Sequence, residues 1–229
     1  MAVNIRMKIR LAETRGRISS PRTNKIVSYR SFDCMSYHAP EYPSWGPVDT
    51  VNDDRTAPGF ITTWHNHMGL DILSYVISGQ VEHRDSLGNH GLAGAGQIQH
   101  MSCGAGIWHT ESNPGPTNNR YLQIWLRPAQ RFLEPPKYTL IDRPHEFGPL
   151  LLDLYHPQVR VSAGWLTGTL TNIVNSYVVI LEGMAWANDQ LLYEGDALDT
   201  EGDRVDITVS APAHILVFED VKSQKPVGL

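Results

Sequence analysis

Cysteine is scarce in this chain: 229 residues hold only Cys34 and Cys103. Two thiols so far apart suit neither a disulfide scaffold nor a thiolate zinc site. An excess of positive charge is also missing, since 19 Lys and Arg face 24 Asp and Glu for a formal net charge of -5. A nucleic-acid binder working by general electrostatics needs a basic surface, so direct nucleic-acid binding is not expected. The one basic bias runs from Arg6 through Lys25, contains Ser19-Ser20-Pro21 and has no continuous apolar core. It matches neither a secretory signal nor a membrane anchor, and the expectation is a soluble, cytoplasmic protein. Long helices have little room, because 19 Gly and 15 Pro interrupt the chain. At 41% hydrophobic and 19% charged, the sequence can still bury a full core, in one large domain or two small ones.

Between the breaks lie short runs of strand character: Ile72 to Ser78, Gln80 to Asp85, Tyr121 to Arg127, Tyr177 to Leu181 and Ile215 to Glu219. Short strands with frequent turns indicate an all-β sandwich or barrel with few short helices. Asp85-Ser86-Leu87-Gly88-Asn89 supplies turn chemistry after the second run, which predicts a hairpin.

A weak internal repeat divides the chain. Val76-Ile77-Ser78-Gly79-Gln80-Val81 is echoed 104 positions later by Ile180-Leu181-Glu182-Gly183-Met184-Ala185, and Gly96-Gln97-Ile98 is echoed 99 positions later by Gly195-Asp196-Ala197. Two such features in order predict two related antiparallel barrels in tandem, 1–130 and 131–229, separated in the Pro-rich segment from Pro128 to Pro144.

The chemistry concentrates in two short pairs, His65-Asn66-His67 and His109-Thr110-Glu111. Residues i and i+2 of a strand share a face, so each pair can grip one ion. Imidazole and carboxylate together suit Fe, Mn, Ni, Cu or Zn, and this set would leave positions open for substrate or oxygen. The alternative is a set of separate polar residues on exposed strand faces. Projecting the repeat puts Thr169-Leu170-Thr171 where the first half has its histidines. His145, His156 and His214 have no two-residue partner, so the metal is expected in the N-terminal barrel alone.

The block from Phe60 to Glu111 resembles the pirin family of the cupin superfamily. The resemblance is carried by the His-x-His pair, by Gly79-Gln80-Val81-Glu82-His83-Arg84-Asp85-Ser86-Leu87-Gly88-Asn89 and by Gly104-Ala105-Gly106-Ile107-Trp108-His109-Thr110-Glu111. Glu194-Gly195-Asp196-Ala197-Leu198 and Ala213-His214-Ile215-Leu216-Val217-Phe218 resemble the second pirin barrel. The resemblance implies a bicupin with jelly-roll barrels and one divalent metal, usually iron, held by His65, His67, His109 and Glu111. It further implies a quercetin 2,3-dioxygenase-like enzyme acting on a flavonol or related planar phenol with O2, or a redox-sensitive regulatory pirin acting through protein interaction. The chain departs from the family pattern at Asn66, where Pro is common, and at Met68, where Arg is common. It departs again at Asp71, in place of Glu, and at Cys103, in place of a small residue.

In the enzyme reading Glu111 both ligates the metal and accepts the substrate's hydroxyl proton. Phe60, Trp64, Met68 and Trp108 are candidate walls of the substrate pocket, with Trp125 a further aromatic, although aromatics mostly fill cores. His83 and His100 are read as surface or supporting residues, and Gly104-Ala105-Gly106 as a tight turn. Cys103, six residues before His109, is either a redox-sensitive thiol at the rim or a buried inert one.

Overall fold

The computed structural model describes residues 7–20, 24–128, 134–142, 145–150 and 158–221. Its elements are almost all strands, with one short 3-10 turn at Ala12–Thr14. In chain order the first are β1 (Lys8–Arg10), β2 (Gly16–Ser19), β3 (Ile26–Arg30), β4 (Val48–Thr56), β5 (His65–His67), β6 (Asp71–Ser78) and β7 (Gln80–Asp85). Next come β8 (His90–Gly94), β9 (Ile98–Ser102), β10 (Ile107–Ser112), β11 (Asn119–Leu126), β12 (Lys137–Ile141) and β13 (Gly148–Pro149). The last are β14 (Val159–Ile173), β15 (Ser176–Glu182), β16 (Met184–Ala187), β17 (Gln190–Tyr193), β18 (Ala197–Asp199) and β19 (Val205–Asp220). The fold class expected from the sequence, an all-β chain of antiparallel sheets, is the one observed.

The chain divides into two units, 16–143 and a second made of 1–15 with 144–229. The expected boundary between 130 and 131 lies outside the described residues, as does His156. In the first unit a seven-stranded sheet, β12-β9-β6-β11-β4-β3-β2, accompanies a four-stranded sheet, β5-β10-β7-β8. In the second, β1-β18-β15-β19-β14-β13 form a sheet extended by β16 and β17. β1 belongs there because Lys8, Ile9 and Arg10 pair with Asp199, Leu198 and Ala197.

The repeat is visible in the hydrogen bonds. The Val76 N–H donates to the Gln97 carbonyl and the Gly96 N–H to the Val76 carbonyl; Ile180 with Asp196, and Gly195 with Ile180, repeat the arrangement. The turn glycines Gly79 and Gly183 have φ of 73° and 85°, a region that costs L side chains energy. A side chain at Gly79 would also strike Asn119.

Alternation governs the burial. On β10, Ile107, His109 and Glu111 are buried and Trp108 on the other face is exposed, although Thr110 on that face is covered where it bonds Thr62. The core of the first unit is therefore mixed. Ile72, Met101, Cys103 and Ile107 pack as one apolar cluster and Val76, Val81, Ala93 and Tyr121 as another, while Asn52, Asp54, Ser74, Gln99 and Glu111 are buried as well. The second unit has an apolar core of Leu166, Val178, Ile180, Leu192, Leu198, Ile207, Ile215 and their neighbours. No helix among the described residues is long and apolar enough to cross a membrane.

Candidate metal centre

β10 is the spine of the site. On one side it pairs with β5, setting His109 opposite His65 and Ile107 opposite His67. On the other it pairs with β7, setting His109 opposite Asp85 and Glu111 opposite His83. Paired residues of an antiparallel ladder share a face, so the register brings the three histidines together across the 42 positions that separate His67 from His109. The strand entry is clamped by Thr62. Its N–H donates to the Glu111 carbonyl at 2.9 Å, its hydroxyl accepts the Glu111 N–H at 2.9 Å, and its carbonyl accepts the Thr110 hydroxyl at 2.7 Å.

One nitrogen from each of His65, His67 and His109 lies within 4.8 Å of the others. Their ring centroids are 5.0 Å, 4.3 Å and 5.2 Å apart for the pairs 65–67, 65–109 and 67–109. The Nδ1 of His65 is 2.9 Å from the Thr63 carbonyl. A carbonyl can only accept, so Nδ1 carries the hydrogen and Nε2 keeps its lone pair for a ligand. Burial, reinforced by His109 and His65, pushes His67 down to about 4. Burial, with His65 and His83 beside it, pushes His109 down to about 3. Both are neutral near pH 7, the form that binds a metal.

His109 is 1% exposed and neither ring nitrogen has a hydrogen-bond partner. Leaving buried polar atoms unpaired is costly. An ion coordinated at one of them would offset that cost, so the donor set fits a metal of the imidazole-binding class.

Glu111 is 4% exposed, and its carboxylate accepts the Ser74 hydroxyl at 3.0 Å on Oε1 and the Gln123 amide at 2.8 Å on Oε2. The compact donor group comprises the three histidines, and Glu111 stands beside it on the same strand face. Gln123 in turn accepts the Trp125 indole N–H at 3.1 Å, and that indole meets the His67 ring edge-on at 4.8 Å. Asp71 faces elsewhere, with Oδ1 at 3.3 Å from His100 Nε2.

The candidate pocket walls fall differently. Trp64, Met68 and Trp108 are 52%, 51% and 53% exposed. Trp108 pairs with Asn66, between the histidines on β5 and opposite to them in facing. The physical reason is strand parity: a residue next to a ligand in sequence points away from it. Phe60 is half-buried, with its carbonyl accepting the Asn113 N–H. Trp125 is the aromatic that touches a histidine of the cluster. Cys103 is fully buried, and burial, with Asp71 nearby, pushes its thiol up to about 12. It is the inert alternative, away from the rim.

His83 is not at the surface but 2% exposed, within the site's inner wall. Of its two readings, surface or supporting, the supporting one agrees with this burial; Ser74 and Gln123 are not named by the sequence reading. A signal existed for Gln123, a polar residue at the same parity as Tyr121 and Trp125 in an apolar run. In the second unit Thr169 pairs with Thr208 through hydroxyls 3.1 Å apart, and His214 bonds Glu182 at 3.1 Å.

The sequence profile of the Pirin family matches residues 10–126. A protein of Pasteurella multocida named "Putative quercetin 2,3-dioxygenase" is 35% identical over 130 residues, 56% of this chain and 55% of that protein. Quercetin 2,3-dioxygenase of Escherichia coli K12 is 38% identical over 111 residues, 48% of each chain. The matched region thus spans about half the length of these relatives. Among solved structures, YhhW of E. coli superposes with a TM-score of 0.83 at 25% identity, covering 93% of this chain and 96% of its own. The same bacterial pirin has been solved in complex with nickel(II), at 24% identity to this chain.

Proposed function

The chain belongs to the pirin family and has its bicupin fold, and from that premise we propose that it is a metal-dependent dioxygenase acting on a flavonol or related planar phenol. The observation that carries this reading is the convergence of His65, His67 and His109. Relatives named as quercetin 2,3-dioxygenases support the substrate class, and the nickel complex of a fold relative supports metal binding. Fe(II) is the preferred ion, with Mn, Ni, Cu or Zn compatible with the donors. The three imidazoles would hold it, with Glu111 as the fourth donor. Bound there, the ion would supply Lewis acidity toward a phenolic hydroxyl and a redox centre for reaction with O2.

The chain's own residues do the rest. Glu111 receives the hydroxyl proton on a carboxylate oxygen. Ser74 and Gln123, donating to Oε1 and Oε2, hold that carboxylate in place and balance its charge while it waits. Trp125 offers an apolar flank against His67 for a planar ring.

The second reading is a metal-loaded regulatory protein acting through protein interaction. It is favoured by Trp64, Met68 and Trp108, large apolar residues exposed beside the metal-binding positions. Anaerobic loading with Fe(II), followed by oxygen-uptake measurements with quercetin and catechols, separates the two. The enzyme reading expects substrate-dependent uptake that His65→Ala or His67→Ala abolishes. A protein that binds iron yet consumes no oxygen with any of these compounds fits the regulatory reading.

A further inference from the structure

Beside the histidine cluster the four-stranded sheet holds a second arrangement, built on Asp85. The Asp85 carboxylate closes the turn after β7. Oδ1 accepts the Leu87 N–H at 2.9 Å and the Asn89 N–H at 3.0 Å, and Oδ2 accepts the Asn89 side-chain amide at 2.9 Å. Burial works against its charge, but the bonds from Asn89, His83 and the backbone outweigh it and hold the carboxyl below its ordinary value. An anchored, ionised carboxylate makes His83 Nε2, 3.1 Å from Oδ2, the donor of their hydrogen bond. Tyr138, from β12, stacks on the His83 ring at 4.3 Å and 7°, over Gly91, where any side chain would collide with the phenol.

The His83 ring also meets His109, with ring centroids 5.3 Å apart and planes tilted by 39°. That contact matters because of what His109 lacks. His65 is oriented by the Thr63 carbonyl, whereas His109 has no hydrogen bond at either nitrogen. Only packing can set its tilt. Of the rings around it, His65 and His67 are themselves proposed ligands, and His83 is anchored independently, by a carboxylate and a stacked phenol. We propose that His83 is the positioning residue for His109, holding that imidazole in its metal-binding orientation in place of the hydrogen bond that such ligands ordinarily receive.

The inference rests on the three-histidine metal site proposed above, and its test keeps the two apart. Co(II) alone is titrated into the metal-free full chain, with affinity read by calorimetry and geometry by the visible bands of bound Co(II). His83→Ala is expected to stay folded by circular dichroism, to weaken Co(II) binding by about 10–100-fold and to shift the bands. His83→Phe, which keeps a ring in place, is expected to retain affinity and bands close to those of the unmodified protein. Should His83→Ala not fold, Tyr138→Leu removes the phenol stacked on the ring and is expected to shift the bands in the same way, unchanged bands overturning the role. Unchanged affinity and bands in His83→Ala overturn the positioning role and leave the metal site standing. Losses as large in His83→Phe as in His83→Ala also overturn it, since ring packing would then not be the cause. Failure of the unmodified protein to take up Co(II) overturns the histidine site itself, and the positioning role with it.

Discussion

Glu111 is the residue at which metal binding and proton transfer can be separated. It shares a strand face with His109 and receives bonds from Ser74 and Gln123, while Asp71 is engaged with His100. Glu111→Gln is expected to lower metal content or, with metal retained, to abolish oxygen uptake. Asp71→Asn is expected to keep both within a few-fold. Elemental analysis and oxygen consumption on the two variants check this, and the reverse pattern would assign the acid role to Asp71. The imidazoles also make a pH prediction. His67 and His109 titrate near 4 and 3 in the folded chain, against about 6.5 when unfolded. Between those values the unfolded chain binds more protons, so stability falls as the pH falls. Thermal midpoints of the metal-free protein should therefore drop from pH 6.5 toward pH 4, and less steeply in His109→Gln.

Among the elements, the β7–β8 hairpin shows how one small residue serves a ring on another strand. Gly91 has space for no Cβ because the Tyr138 phenol occupies it. Gly91→Ala should cost roughly 1–3 kcal/mol by overpacking, read as a lowered thermal midpoint. Adding Tyr138→Phe, which removes the colliding oxygen, should recover part of the loss. The strand here was legible in the sequence: Gln80 to Asp85 is observed with those bounds, because its apolar pattern and the turn residues after it are local signals. The histidine pairs were legible for the same reason, since i to i+2 spacing survives whatever the strand later pairs with. The pocket walls were not. Trp64 and Trp108 adjoin histidines in sequence, but facing depends on parity and burial together, and both side chains are about half exposed. Nor were the bonds of Ser74 and Gln123 to Glu111, which join strands 37 and 12 positions apart. β14 and β19 run to 15 and 16 residues; the exposed, Thr-rich end of β14 takes its strand character from pairing with β19.

At the scale of the whole molecule, two copies of one β-turn-β hydrogen-bond arrangement have taken different cores. The first unit buries Asn52, Asp54, Ser74, Gln99 and Glu111, with Ser74 bonded to Glu111 beside the histidines, while the main core cluster of the second is aliphatic. One equivalent of metal per chain is the expected stoichiometry by elemental analysis after loading and desalting, and it should be lost in His65→Ala. Two equivalents would mean that the second unit also binds.

β5 is three residues long and lies at the end of its sheet, bonded to β10 alone among the sheet's strands. So short an edge strand has little ladder to resist local opening, yet it carries two of the three histidines. An ion gripping His65, His67 and His109 would tie that edge to its neighbour, so that loading the site also closes the strand. Amide hydrogen exchange should register this as slowed exchange from His65 to Met68 on metal addition, with little change at the interior of β11. The shortest strand of the sheet would then be the element through which metal occupancy becomes a change in backbone dynamics.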